Sequence, residues 1–473
     1  MNSVAIIGAG ITGLTAGFRL AQKQIPVTIY EASDRVGGVI QSVRRNGFLA
    51  EFGPNTLLET SPKIRALIRD AGLEPHVLVS AESAQNRYLV RNRRPIAMPG
   101  SLAGFLRTPL FSPAAKLRLF AEPFIRRWHN RREENLGEFV LRRLGREFLD
   151  YAIDPLVAGI YAGDPFRLSV QHAFPKIYDL EQRYGSLIRG QILGARERKR
   201  RAEVSKQDAP KLSFDHGLQV LPETLGARIE RSVRLRTRVI SLRRQERLWT
   251  LAVESPHGAE SRPHCAVLFA GPAYQLADLA LDQQPPINLS YFNQIYYPPV
   301  TSVVLGFRRA DVAHPLDGFG MLIPKVEGFS ILGTLFSSSL FPNRAPEGHV
   351  TLTSYVGGVR NPLLALKSFD EILALTYKDL RSILGITGSP TFHHSIRYPR
   401  AIPQYEVGYG RFKAAMDQLE NDAPGFFVAG HCRNGISMGD SLISGYDVAD
   451  RIEDFLRADA ASATAATPSS PAG

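Results

Sequence analysis

A chain of 473 residues is longer than one hydrophobic core supports and points to two or three domains, while 44% apolar and 22% charged residues exclude a disordered or fibrous protein. The formal net charge of +12 admits nucleic acid, an anionic membrane surface or an acidic small molecule as partner, but the basic stretches form no recognisable nucleic-acid module, so no nucleic acid is expected. Two cysteines, Cys265 and Cys432, build neither a disulfide framework nor a metal site, and no apolar run reaches membrane-spanning length, so the reading is a metal-free, cytoplasmic protein that does not cross a bilayer.

The chain enters its first strand almost at once, without the regions of a signal peptide. Val4–Ile7 is apolar, "GAGITG" follows, and Leu14–Gln22 has helical spacing. Gly8 permits a sharp turn out of the strand, Gly10 lets backbone approach a pyrophosphate, and Gly13 lets the helix pack on the sheet. The helix N-terminus then offers free N–H groups and a favourable dipole to phosphates. The second strand, "PVTIYE", ends in Glu31, placed to hydrogen-bond a ribose diol and to repel a 2′-phosphate, which argues against NADP. Arg35 and the pair Gly37 and Gly38 follow directly, and "EFGPN" adds a turn at Gly53, Pro54 and Asn55. Extra amides, an arginine and a turn close to a flat ring suit a permanently held flavin better than an exchangeable nicotinamide. The expected cofactor is therefore FAD.

Residues 1–75 form the first part of this FAD-binding domain and 76–95 the first part of a second domain, with "RYLVRNRRPIAM" as a hairpin. Residues 96–205 read as helical and basic. Within them Leu102–Trp128 mixes Leu, Phe and Trp with Arg and Lys, a pattern suited to a membrane interface. Residues 206–285 return to the FAD-binding domain: "KLSFDHGLQVLPETLGARI" is strand, turn and helix. Val239 lies in a strand able to offer backbone to an adenine edge, and Ala270 and Gly271 end a core strand where such folds place ligands. Residues 286–410 read as strands with two helices, forming most of a second sheet. Residues 411–457 close the FAD-binding domain with the strand "GFFVAG", a glycine-rich turn from Gly430 and a helix beginning near Asp440; Gly430 and the approach to that helix at Ile436, Ser437 and Met438 are expected to bind the cofactor. Residues 458–473 read as a disordered tail. His431 and Cys432 in that turn are assigned to packing.

"GAGITGL", "EASDRVGG", "EFGPNTL", "DPLVAGIYAGDP", "LEQRYGSLIRG", "SSSLFPNRAP", "AIPQYEVG" and "VAGHCRNGISMGDSLISG" together resemble the FAD-dependent protoporphyrinogen oxidases, within the flavin amine oxidase superfamily. The resemblance spans residues 6 to about 450. It implies an α/β fold: a discontinuous Rossmann-like FAD-binding domain, a mixed-sheet substrate domain and an inserted helical domain that docks on membrane. It also implies oxidation of protoporphyrinogen IX to protoporphyrin IX, with O2 as acceptor and H2O2 as product, in three flavin cycles of hydride transfer from the tetrapyrrole to flavin N5. By motif match Arg87 resembles the arginine that pairs with a substrate propionate, Leu322 and Phe341 resemble apolar walls of the tetrapyrrole site, and Gly159 and Gly163 resemble backbone lining it. No catalytic base is identified. Peripheral membrane contact and a homodimer complete the expected partners. The alternatives are a coproporphyrinogen III oxidase, with Lys325 or Arg397 meeting extra carboxylates; another oxidoreductase of the superfamily; and a non-catalytic flavin-bearing surface protein.

Overall fold

The computed structural model describes residues 3–127, 132–200, 209–283 and 286–465. Its first layer is a five-stranded parallel sheet in the order Val233–Arg234, Val27–Tyr30, Val4–Ile7, Ala266–Phe269, Phe426–Val428. Strands from the start, middle and end of the chain thus lie side by side, and the FAD-binding domain is discontinuous as expected. Both faces are covered, so the strands Val4–Ile7, Ala266–Phe269 and Phe426–Val428 are apolar throughout. Val4, Ile6 and Leu268 point into one core with the helices Ile11–Gln22 and Met438–Ala465, while Ala5, Val267 and Phe269 point into another.

The two helices on the first face approach closely because glycine stands at the crossing. A Cβ on Gly445 would lie 2.3 Å from the Thr12 carbonyl oxygen, and Thr12 Oγ1 donates to the Ser441 carbonyl at 2.9 Å. The last helix continues to Ala465, which corrects the expectation of a disordered tail from residue 458; residues 466–473 lie outside the described residues. The strand Gly258–His264, absent from the sequence reading, pairs with Leu248–Ser255. Its polar composition reflects an edge position, where most side chains face water.

The second layer is a seven-stranded, mostly antiparallel sheet in the order Phe392–Tyr398, Val300–Arg308, His349–Gly357, Ile331–Leu335, Gly318–Leu322, Asn86–Arg91, Arg94–Ala97. The expected hairpin is present, and Asn92 and Arg93 make its two-residue turn with φ of 52° and 62°. One face of the sheet, carrying Val303, Leu305, Phe307 and Leu352, packs on the helix Phe369–Leu384. Val77–Val79 belongs instead with Leu57–Leu58 and Lys211–Phe214, so the second domain begins at the hairpin and not at residue 76.

The segment between these layers is helical as expected. It surrounds a buried ion cluster: Arg143 pairs with Glu122 at 2.9 Å and also with Glu181, and all three are at most 1% exposed. Glu122 further accepts the amides of Leu187 and Ile188 at 3.0 and 3.2 Å, fixing the start of the helix Leu187–Arg200. Residues 128–131 and 201–208 of the basic stretches lie outside the described residues.

Candidate active site

Gly8 leaves the first strand at φ 103°, a conformation that costs other residues energy. A Cβ on Gly13 would meet the Gly8 carbonyl oxygen at 2.0 Å. At Gly10 a Cβ would find nothing within 4 Å, so no neighbouring protein atom requires glycine there, and the open space is the cradle a pyrophosphate needs. Gly10 is also the N-cap of the first helix and provides no side-chain cap, and no acidic residue occupies the first turn. Anion binding at such an end is favoured by its unpaired amides.

Glu31 does more than await a ribose. Its carboxylate accepts the Ala9 amide at 2.7 Å, the Ser33 amide at 2.9 Å and the Ser33 hydroxyl at 2.8 Å. Of roughly four acceptor sites on a carboxylate, these contacts leave about one for a ribose hydroxyl. Thr237 donates its amide to the Glu31 carbonyl at 2.8 Å, and Val239, two residues further on, sits at a bulge in its strand. Ala270 donates to the Ile7 carbonyl at 2.9 Å, and Gly271 leaves space that the Phe269 ring fills.

Arg35 is turned onto its own loop. Its guanidinium donates to the carbonyls of Val36, Gly38 and Ile40 at 3.2, 2.6 and 3.1 Å. Gly37 donates to the Ala9 carbonyl at 2.8 Å, and Gly38, at φ 58°, lies against the Gly10 Cα. The arginine thus shapes the Gly-Gly loop over the dinucleotide turn. At the next turn, Gly53 has φ 79° and leaves room for the Val39 carbonyl. After Pro54, Asn55 donates through Nδ2 to the Tyr355 hydroxyl at 2.5 Å, while its buried Oδ1 has no protein partner. A buried orphan acceptor beside an open glycine cradle fits a bound cofactor.

The C-terminal turn faces the same region. Gly430 has φ 107° and donates its amide to Ser444 Oγ at 2.9 Å. After Ile436, Ser437 caps the last helix by accepting the Asp440 amide at 3.1 Å, and Met438 begins it. His431 and Cys432 pack as expected: burial lowers the imidazole to about 4 and raises the thiol to about 12, so both are neutral near pH 7.

Several of the residues expected to meet the substrate come together by strand register. Leu89 pairs with Leu322, Leu322 with Gly333, and Gly333 with Tyr355, one row across four strands. Cross-strand partners share a face, and residues two apart on a strand return to it. Arg87, opposite Gly320 and two residues before Leu89, therefore lies on the face of Leu322 and Tyr355. Tyr355 makes that face meet the FAD-binding domain through Asn55, and Val304 does so through Phe48 and Phe52. Two strand spacings of about 4.8 Å place Leu322 about 10 Å from the tyrosine row position.

Gly159, exposed on the helix Asp154–Tyr161, lies over the same wall: a Cβ there would come within 2.5 Å of Leu322 Cδ2. Asp154 holds that helix to the sheet, pairing with Arg360 at 2.9 Å and accepting the Lys325 amide at 2.8 Å. Two expected lining residues are placed elsewhere. Gly163 is buried and makes room for the Gln404 carboxamide. Phe341, 3% exposed, packs with Ala84 and Leu340 and under the Arg344 guanidinium, apart from Leu322. Arg397 pairs in register with Thr301, which bonds the Ala365 carbonyl, and its guanidinium lies on the Phe369 ring. It therefore stands on the sheet face away from Tyr355.

The sequence reading missed Tyr355, the Asp154–Arg360 pair, and Arg344. Arg344, 1% exposed, stands 3.5 Å from buried Glu51 and donates to Ser213 Oγ at 2.7 Å. Burial pushes the guanidinium down and the carboxyl up, while the Ser42 hydroxyl and Leu218 amide favour the carboxylate. "FPNRAP" therefore pins the substrate sheet to the FAD-binding domain. Its buried position among apolar residues, not its charge in sequence, reveals this.

The family model described as flavin containing amine oxidoreductase matches residues 11–453. The chain is 35% identical to "Protoporphyrinogen oxidase 2, chloroplastic/mitochondrial" of Arabidopsis thaliana, covering 96% of this chain and 94% of that one. It is 31% identical to "Coproporphyrinogen III oxidase" of Bacillus subtilis (strain 168), over 93% and 96% of the two chains. A crystal structure from Exiguobacterium sp. 255-15 shares the fold with a TM-score of 0.80 at 24% identity, over 96% of this chain and 98% of that one. The α/β architecture, the flavin cradle and these whole-length similarities agree: the chain is an FAD-containing oxidoreductase that belongs to the FAD-dependent protoporphyrinogen oxidase family, within the flavin-containing amine oxidoreductases.

Proposed function

We propose that this chain oxidises protoporphyrinogen IX to protoporphyrin IX in heme biosynthesis, with O2 as the final acceptor and H2O2 as product. The observation that carries the reading is the row Leu322–Gly333–Tyr355, backed at its near end by buried Leu89, with Arg87 two residues before Leu89 on the same face and the flavin turn at the far end. A porphyrinogen is a broad apolar macrocycle bearing carboxylates, so it needs such a wall and a guanidinium able to grip a carboxylate through two hydrogen bonds. Bound FAD supplies a two-electron acceptor, so removal of six electrons takes three rounds, each consuming one O2.

The protein's part is placement. Gly159 lets its helix pack directly on Leu322, the Asp154–Arg360 pair fixes the helix carrying that glycine, and Tyr355 joins the wall to the cofactor turn. His431 is neutral and buried beneath Tyr297, and no base is assigned among the described residues. Arg397 on the opposite face adds no cation to the wall, and Lys325 is exposed beyond its end. This favours a substrate with two propionates over the four of coproporphyrinogen III.

The test is aerobic turnover of protoporphyrinogen IX and, separately, coproporphyrinogen III, read by porphyrin fluorescence and peroxide. A preference for the first is expected, with Arg87→Ala raising KM about tenfold and leaving the flavin spectrum unchanged. Preference for the second moves the reading to the tetra-propionate substrate; turnover of neither overturns both.

The same reading includes peripheral contact with an anionic membrane. Leu102, Leu106, Leu117, Phe120 and Phe124 are exposed, Phe124 by 82%, with Arg107 and Arg118 among them in sequence and Arg126 and Arg127 just after. The buried Glu122–Arg143 pair gives the Phe124 turn a rigid backing. Among the described residues no helix is long and apolar enough to cross a membrane. Salt-sensitive flotation with phosphatidylserine vesicles, lost in Phe124→Ser, is expected; no flotation at low salt rejects the contact.

A further inference from the structure

The segment Ala401–Val407, "AIPQYEV", joins parts of the molecule far apart in sequence. Ala401 and Gln404 donate their amides to the carbonyls of Pro298 and Tyr296 at 3.0 and 2.9 Å, beside the substrate sheet. Ser169 of the helical insertion donates to the Tyr405 carbonyl at 2.9 Å, and Val407 donates to the Arg167 carbonyl at 3.0 Å. The side chain of Tyr405 then enters the FAD-binding domain. Its hydroxyl donates to the His431 carbonyl at 2.5 Å and accepts the Gly435 amide at 3.1 Å, closing the turn from both ends. Tyr409, stacked on Tyr405 at 4.2 Å between ring centroids, donates to the Cys432 carbonyl at 2.6 Å.

The geometry points to Tyr405 and Tyr409 as positioning residues for the flavin, holding the backbone of His431–Gly435 in the shape that the cofactor contacts at Gly430 and Ile436–Met438 require. Both tyrosines are at most 2% exposed, so no water substitutes for their hydroxyls, and the turn begins and ends at glycines with φ of 107° and 119°. Glycines at such angles leave the turn free to take other shapes, and the two hydroxyls select one. Because Tyr405 is also bonded to the helical insertion, the flavin site is completed by segments outside its own domain. The inference rests on the cofactor contacts read at this turn and is independent of which porphyrinogen is oxidised.

The experiment compares Tyr405→Phe and Tyr409→Phe with the parent in the full chain, by FAD titration of the apoprotein, visible absorption and circular dichroism of bound flavin, flavin midpoint potential, and apoprotein melting. Loss of a buried hydroxyl that orders the turn is expected to weaken FAD binding about tenfold. The flavin bands and midpoint potential should shift, with apoprotein melting within a few degrees of the parent. Parental affinity, spectrum and potential in both variants overturn the proposal. So does a lowered melting temperature with parental flavin spectrum and potential, which marks a purely structural role. Should Tyr405→Phe fail to fold, Tyr409→Phe decides by the same measurements.

Discussion

The cofactor cradle and the proposed substrate wall are built in opposite ways. The start of the cradle, from Val4 to Gly38, is nearly continuous in sequence: Glu31 reaches back to the Ala9 amide, and Gly37 to the Ala9 carbonyl. The wall draws Leu89, Gly159, Leu322 and Tyr355 from four distant segments. A dinucleotide is held largely by backbone, so its site is written in glycines at short spacing. A flat macrocycle is held by side-chain shape across a sheet, which only register and helix docking bring together.

The largest break in that comparison is expected from Gly13→Val. The added carbons have no room beside the Gly8 carbonyl, so stability should fall by about 3 kcal/mol or more and the purified protein should lack bound flavin by absorbance. On the assembled side, Arg344→Ala leaves Glu51 buried without its cation, and about 3 kcal/mol should be lost in urea unfolding. Unlike Gly13→Val, folded Arg344→Ala should retain the dinucleotide turn, so flavin binding should fall less than stability.

Acid separates the regions next. His264, bonded to Tyr30 at the first sheet, is held neutral by burial with its pKa lowered to about 4. The unfolded imidazole takes up a proton near pH 6.5, so folding stability is full above that value and falls as pH drops toward 4. The slope from this group is about 1.4 kcal/mol per pH unit. His431 contributes in the same direction. Melting followed from pH 7 to pH 4.5 should show the fall, and His264→Gln should flatten it.

Gly159→Ala should act more gently, because its Cβ meets the end of a flexible leucine. KM for the porphyrinogen should rise several-fold, equivalent to about 1 kcal/mol, with bound flavin unaltered. The smallest effect is expected at an exposed pair serving neither region: Lys367→Ala, removing the contact with Glu371, should leave the urea midpoint and melting temperature indistinguishable from the parent.

By itself the sequence determined the glycine turns, the strand carrying Glu31, the hairpin at Asn92–Arg93 and the return of the chain to its first domain. Each depends on local backbone conformation or on short-range apolar patterning. Resemblance, and not any spacing, suggested Leu322 and Gly159 as neighbours in one site, and the structure brings the two into contact. Tertiary structure decided what Arg35 does with its guanidinium, why Arg344 is buried, that Arg397 faces away from the wall and that Phe341 packs apart from Leu322. It also decided that Tyr405 closes a turn 26 residues away. Which partner a long side chain meets depends on strand register and on which face of a sheet it occupies. A one-residue change in register reverses that face without altering composition.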